Sequence, residues 1–178
     1  LARMQPLFGP DPLWGTVLVP LGIATLLLGG LLALGARDLK QVLAYSTVGA
    51  LGLLVLLLGL ADDIALKAAM VFLLAHACYK AALFLVVGTV DHETGERDPD
   101  ALSGLARAMP LTAAAGILAA LSAAGLPPFL GFVGKELLYE ASLPAALTGA
   151  TGPALVTAGA FLGSVAFVTV AIVAGVRP

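Results

Sequence analysis

Polar residues fall in sparse groups along this chain, and between them run long stretches of Leu, Val, Ala and Gly with no strict alternation. Charged or Gly/Pro-rich breaks mark off five apolar segments, at about 14–35, 42–60, 66–90, 110–140 and 154–175. Apolar runs of about 20 residues are long enough to cross a hydrocarbon core about 30 Å thick as helices. A membrane barrel would need alternating strands, which these runs do not show. Most of the breaks are short: Ala36-Arg37-Asp38-Leu39-Lys40 follows the first segment and Asp62-Asp63 the second. The longest polar piece is DHETGERDPDALSGLARAM, residues 91–109.

The fourth segment is interrupted. After ALSAAG comes Leu126-Pro127-Pro128, and two prolines in mid-span remove two backbone donors and clash with the preceding turn. A second piece, FLGFVGKELLYEA, then resumes with Lys135, Glu136 and Glu140. Irregular backbone at membrane depth survives only where protein or a wet cavity satisfies its free N–H and C=O groups. The break is either a plain proline kink in a packing helix or an interrupted helix of the kind that lines ion and substrate pathways.

Composition agrees with the pattern. Of 178 residues, 60% are hydrophobic and 11% charged, and the mean hydropathy is +1.05, values that exclude a soluble globular domain. The expected fold is an all-α integral membrane helix bundle of about five transmembrane helices, the fourth discontinuous at Pro127-Pro128, with residues 1–178 forming a single membrane domain. A net charge of −2 is too small to suggest nucleic acid as a partner. Cys78 is the only cysteine, so no internal disulfide forms, and its apolar setting reads as a small packing residue. A start at LARMQPLF and a stop at Arg177-Pro178, just past an apolar run, suggest a piece of a longer membrane protein. Five spans put Arg37, Lys40, Arg97, Arg107 and Arg177 on one side, and the excess of Lys and Arg predicts that side to be cytoplasmic.

Against this background two residues stand out. Lys80 lies near the middle of the third segment, where a lysine costs at least about 2.5–3.5 kcal/mol and cannot easily reach either interface. His76 sits four positions earlier, so the two side chains share one helix face. Together they form a pair able to take up and release protons; the alternative is a structural lysine paired with an acid from another helix. Lys135 follows the Pro-Pro break, with Glu136 beside it. Its meaning depends on depth: interfacial if near the membrane edge, part of a polar pathway if deeper. Tyr45-Ser46-Thr47, Thr112 and Ser122 could bond water or neighbouring helices, with ordinary interhelical hydrogen bonding as the competing role. Two histidines in all, with no HExxH, CxxC, GxGxxG or Walker-type loop, leave no ligand set for a metal or cofactor.

Three stretches, DLKQVLAYSTVGALG (38–52), AHACYKAALFLVVGTVDHETGERD (75–98) and AAGLPPFLGFVGKELLYEA (123–141), resemble the antiporter-like subunits shared by respiratory complex I and the multi-subunit Mrp-type sodium/proton antiporters. The likeness runs from the first segment to the fifth, and within the family it is strongest to the A-type branch of the Mrp antiporter subunits. It implies a second five-helix inverted repeat with a broken fourth helix, and a row of lysines and histidines along the membrane midplane. By resemblance Lys80 falls on the central lysine, His76 on the histidine one turn before it, and Lys135 on the lysine or glutamate of the broken helix. Glu136, Ser122 and Tyr45 are supporting candidates from their position and residue type. Phe72 stands where complex I members often carry a further histidine, which implies either that water serves where those relatives use a side chain or that the position follows the Mrp branch. A first repeat with a glutamate–lysine pair and a C-terminal extension would lie outside this chain, which alone should not transport.

The resemblance thus implies part of a secondary transporter, not an enzyme, with no need of a cofactor. It would relay protons against Na+ by a Lys/His/water path, as part of a multi-subunit complex in the plasma membrane. A proton-pumping subunit of complex I or a membrane-bound hydrogenase is the alternative within the same family. A purely structural membrane subunit is the third reading.

Overall fold

The computed structural model describes residues 1–98, 102, 104–147, 157 and 158 of the chain. These residues form helices α1 (Gln5–Phe8), α2 (Pro12–Gly35), α3 (Leu39–Gly59), α4 (Asp63–Thr94), α5 (Leu105–Ala108), α6 (Pro110–Ala124) and α7 (Leu130–Leu147), with no strand among them. Helices α2, α3 and α4 are each long and apolar enough to cross a membrane, and α6 is a shorter apolar helix. The expected fifth segment, apart from the helical Thr157 and Ala158, lies outside the described residues, as does Arg177.

The first three spans each begin two to three residues earlier than the apolar pattern suggests. An acidic residue just before each span acts as its N-cap. Asp11 accepts from the Leu13 N–H at 2.9 Å, Asp38 from those of Lys40 at 2.7 Å and Gln41 at 3.2 Å, and Asp62 from Ile64 at 3.0 Å and Ala65 at 3.2 Å. Each side chain satisfies donors that a helix start leaves without partners. Helix α4 also runs one turn further than expected, through Asp91, His92 and Glu93, and stops at Gly95, whose φ of 69° is the left-handed conformation that ends a helix without a Cβ clash.

Helices α2 and α3 pack through glycine. A Cβ on Gly29 would run into the Gly49 backbone, one on Gly22 would lie 2.7 Å from the Leu56 backbone nitrogen, and one on Gly52 would strike the Leu26 nitrogen. Small residues at such crossings let membrane helices approach to backbone contact. At the opposite end of this pair the Trp14 indole donates to the Leu58 carbonyl at 2.8 Å. Helix α4 is the hub: it packs on α3, α6 and α7.

The core is split in two. One apolar cluster joins Ala33, Leu43, Tyr79, Leu83, Val87 and Ala119; the other joins Leu26, Leu53, Leu57, Ala69, Phe72 and Leu138. Along α4 one cluster gives way to the other between Phe72 and Ala75, just before the buried polar residues His76 and Lys80.

A knot of charge ties two connections together at one end of the bundle. Asp91 takes Lys40 Nζ at 2.6 Å and Arg97 Nε at 2.7 Å, and the Leu39 N–H donates to the Arg97 carbonyl at 3.1 Å. The α2–α3 and α4–α5 connections therefore share one face. The bond and charge of Asp91 hold the Arg97 guanidinium above its usual range. These pairs are partly open to solvent, so their worth is modest and screened by salt. Asp91→Asn is expected to lower the melting temperature slightly in low salt, with the difference from wild type vanishing in high salt. A difference that persists in high salt would show that the pairing is not what Asp91 contributes.

Candidate functional site

Lys80 is buried, 6% exposed, deep in α4. It lies eleven positions before Asp91, about 16 Å along the helix axis from that charged end. That distance is about half the thickness of a hydrocarbon core. Its Nζ donates to the Leu43 carbonyl at 2.8 Å and to Ser46 Oγ, both on α3. Ser46 Oγ itself lies 2.9 Å from the same Leu43 carbonyl, and Thr47 Oγ1 reaches it at 2.8 Å. Among the described residues no carboxylate is within ion-pair distance of Lys80. Among the described residues the cation is thus held by dipoles, and a change of its charge would break no ion pair there.

His76 lies one turn before Lys80 and is also buried. Its Nδ1 is 2.8 Å from the Tyr79 hydroxyl, and the two rings meet edge to face with centroids 5.1 Å apart. Phe72, a further turn back, places its ring 5.8 Å from the imidazole. One stripe of α4 therefore reads Phe72, His76, Lys80, with Tyr79 beside it. Phe72, where relatives often carry a histidine, is a buried phenyl ring.

The interruption of the fourth span has its own geometry. Helix α6 ends at Gly125, φ 74°, where the Gly125 N–H returns to the Ser122 carbonyl at 3.0 Å and the Leu126 N–H to that of Leu121 at 3.2 Å. That is a glycine stop of Schellman type, with the prolines just beyond it. Helix α7 restarts at Leu130. From its second turn Lys135 reaches back across the gap, and its Nζ donates to the Ala124 carbonyl at 2.8 Å. A cation at the C-terminal end of a helix meets the negative end of its dipole. Lys135 is partly buried, and its neighbour Gly134 lies against the Phe72 backbone. The broken helix thus sets Gly134, beside Lys135, against Phe72, one turn before His76 on α4.

Other expected residues are placed less centrally. Glu136 and Glu140 are exposed, and so is Lys67. Tyr45 is partly buried against the first cluster, and among the described residues its hydroxyl makes no hydrogen bond; the adjacent Ser46 holds Lys80 instead. Ser122 offers its backbone, not its hydroxyl, to the break. Cys78, read from its apolar setting as a small packing residue, is exposed among the described residues. Tyr79 escaped the sequence reading, although its i+3 spacing from His76 on a helix was a usable signal. Among the described residues no group of His, Cys, Asp and Glu could hold a metal.

The profile of the family described as NADH:quinone oxidoreductase/Mrp antiporter, TM, matches residues 1–165. The chain is 40% identical over 159 residues to the A subunit of the Na(+)/H(+) antiporter of Alkalihalophilus pseudofirmus, covering 82% of this chain and 20% of that protein. It is 39% identical over 143 residues to the A/B subunit of a probable K(+)/H(+) antiporter of Rhizobium meliloti, covering 80% and 14%. Its fold is similar to a chain of the solved Mrp complex from Dietzia sp. DQ12-45-1b, with a TM-score of 0.81 at 34% identity over 95% of this chain and 31% of that one. The chain spans about a fifth or less of the length of these curated relatives.

Proposed function

Since the chain belongs to the NADH:quinone oxidoreductase/Mrp antiporter transmembrane family, we propose that it is a proton-translocating segment of a monovalent cation/proton antiporter subunit. Protons pass between Lys135, His76 and Lys80, with water bridging where side chains do not touch. The observation that carries this reading is Lys80: a lysine at mid-membrane depth whose ammonium rests on a carbonyl and a hydroxyl. A structural lysine would be expected to hold a counter-charge, since an unpaired charge at this depth is costly. The curated relatives described above are cation/proton antiporter subunits, which favours antiport over a redox-driven pump using the same membrane path.

Sodium is the exchanged cation in this reading, with potassium as the substitute that the Rhizobium relative's name suggests. The segment works inside a multi-subunit assembly in the plasma membrane, with the Lys40–Asp91–Arg97 face cytoplasmic. The reading is tested by cation-driven proton movement through the assembled complex carrying Lys80→Ala: loss of exchange in an intact complex supports it, and exchange at the normal rate ends it.

Ser46 provides a graded check. Ser46→Ala removes one acceptor from the Lys80 ammonium and leaves the Leu43 carbonyl. A hydrogen bond to a charged group is worth about 1.5–3 kcal/mol, so exchange is expected to slow by about tenfold or more. Tyr45→Phe, one position away and with no side-chain hydrogen bond to lose among the described residues, should leave the rate unchanged. Equal rates for Ser46→Ala and wild type would remove Ser46 from the account.

A further inference from the structure

Tyr79 has a role that neither its residue type nor the proton path supplies. The side chain is 4% exposed and packs in the apolar cluster with Val42, Leu43 and Leu83. Its hydroxyl has a single hydrogen-bond partner among the described residues, Nδ1 of His76 at 2.8 Å. If Nδ1 carried the imidazole proton and donated it, the phenolic hydrogen would be buried without an acceptor, at the full desolvation cost of an unmade bond. The phenol therefore donates and Nδ1 accepts. In a neutral imidazole only one nitrogen carries hydrogen, so that hydrogen is on Nε2.

We infer that Tyr79 is the positioning residue of His76: its hydroxyl locks the neutral imidazole in the Nε2–H tautomer and in one ring orientation, so that neutral His76 presents Nε2–H as its donor. This rests on the reading of His76 as a relay group. The edge-to-face contact, with ring planes 76° apart, holds the imidazole in that orientation.

The test uses the assembled antiporter complex labelled with 15N-histidine, the His76 signals being those that disappear in His76→Gln. In the wild type they should report a bare Nδ1 and a protonated Nε2. Tyr79→Phe keeps the ring and its packing and removes only the hydroxyl. It should release the tautomer, seen as a second set of His76 nitrogen signals, and slow exchange about two- to tenfold, the worth of one net hydrogen bond. A proton on Nδ1 in the wild type, or a Tyr79→Phe complex with wild-type signals and rate, overturns the inference. Lys80→Ala separates the two readings. Loss of exchange there, with Tyr79→Phe unaltered, removes the tautomer lock and leaves the path standing. Normal exchange in Lys80→Ala removes the path, and the nitrogen signals still decide the tautomer.

Discussion

Replacing Lys80 by alanine is expected to reduce exchange by the assembled complex to background while the complex still forms. A positioned acid–base group contributes about 100-fold to 10,000-fold to a proton-transfer step, so the residual rate should be at most about one hundredth of normal. Assembly should survive for a local reason. The Leu43 carbonyl keeps the Ser46 and Thr47 hydroxyls as donors when Lys80 is gone, so no acceptor is stranded. The charge removed also cost at least about 2.5–3.5 kcal/mol to place at this depth. Lys80→Arg sharpens the result, because a guanidinium keeps the charge but cannot release a proton. It should fail as Lys80→Ala does, whereas a lysine needed only for its charge would be served by arginine. Purified complex reconstituted in vesicles, with assembly followed by size-exclusion chromatography, checks both outcomes.

Gly131→Ala is expected to disrupt the fourth span. A single methyl group there would fall on the Ser122 carbonyl oxygen and lie 2.8 Å from its carbon. That carbonyl cannot easily retreat, because it already accepts the Gly125 N–H in the turn that ends α6. Over-packing typically costs about 1–3 kcal/mol, and a collision with backbone belongs at the upper end. Its relief requires α7 to move away from α6, which also withdraws Lys135 from the Ala124 carbonyl. Yield of assembled complex and its melting temperature should both fall. Gly88→Ala is the control: nothing lies within 4 Å of its added Cβ, and alanine is the better helix former. Equal stability of the two variants would contradict the close α6–α7 approach.

Much of the fold could be read from the sequence because membrane spans announce themselves by length and apolar content. The first three spans and the interruption of the fourth fall where the pattern places them. The boundaries shift because Asp11, Asp38 and Asp62 cap helices they were expected to precede at a distance. The cause of the interruption also shifts. Pro127 and Pro128 are the conspicuous residues, yet the helix has already ended at Gly125, whose left-handed conformation is what only glycine adopts freely. The α2–α3 contact had a signal that went unread: Gly15, Gly22 and Gly29 recur every seven residues, a repeat that keeps one face of a helix small.

The site was less legible, for a physical reason. His76 and Lys80 sit on one helix, so their spacing suffices to put them on one face. Which residue of Tyr45-Ser46-Thr47 meets Lys80 depends on the rotation and height of α3 relative to α4, and a single chain does not encode that locally. Ser46 therefore emerges only from packing. The counting rule that orients membrane proteins gives carboxylates little weight, and for that reason Asp91, which binds both Lys40 and Arg97, was invisible to it. The reach of Lys135 across the break to Ala124 likewise needs the turn geometry set by Gly125.

Proton movement through Lys80 itself is the claim on which the rest depends, and an uncharged residue of nearly the same length and volume isolates it. The assembled complex carrying Lys80→Met, sealed in vesicles with a pH-sensitive dye inside, is exposed to a step in external Na+. The account predicts a dye response no larger than that of empty vesicles, from a complex that elutes at full size. A Lys80→Met complex that moves protons at the wild-type rate would contradict it.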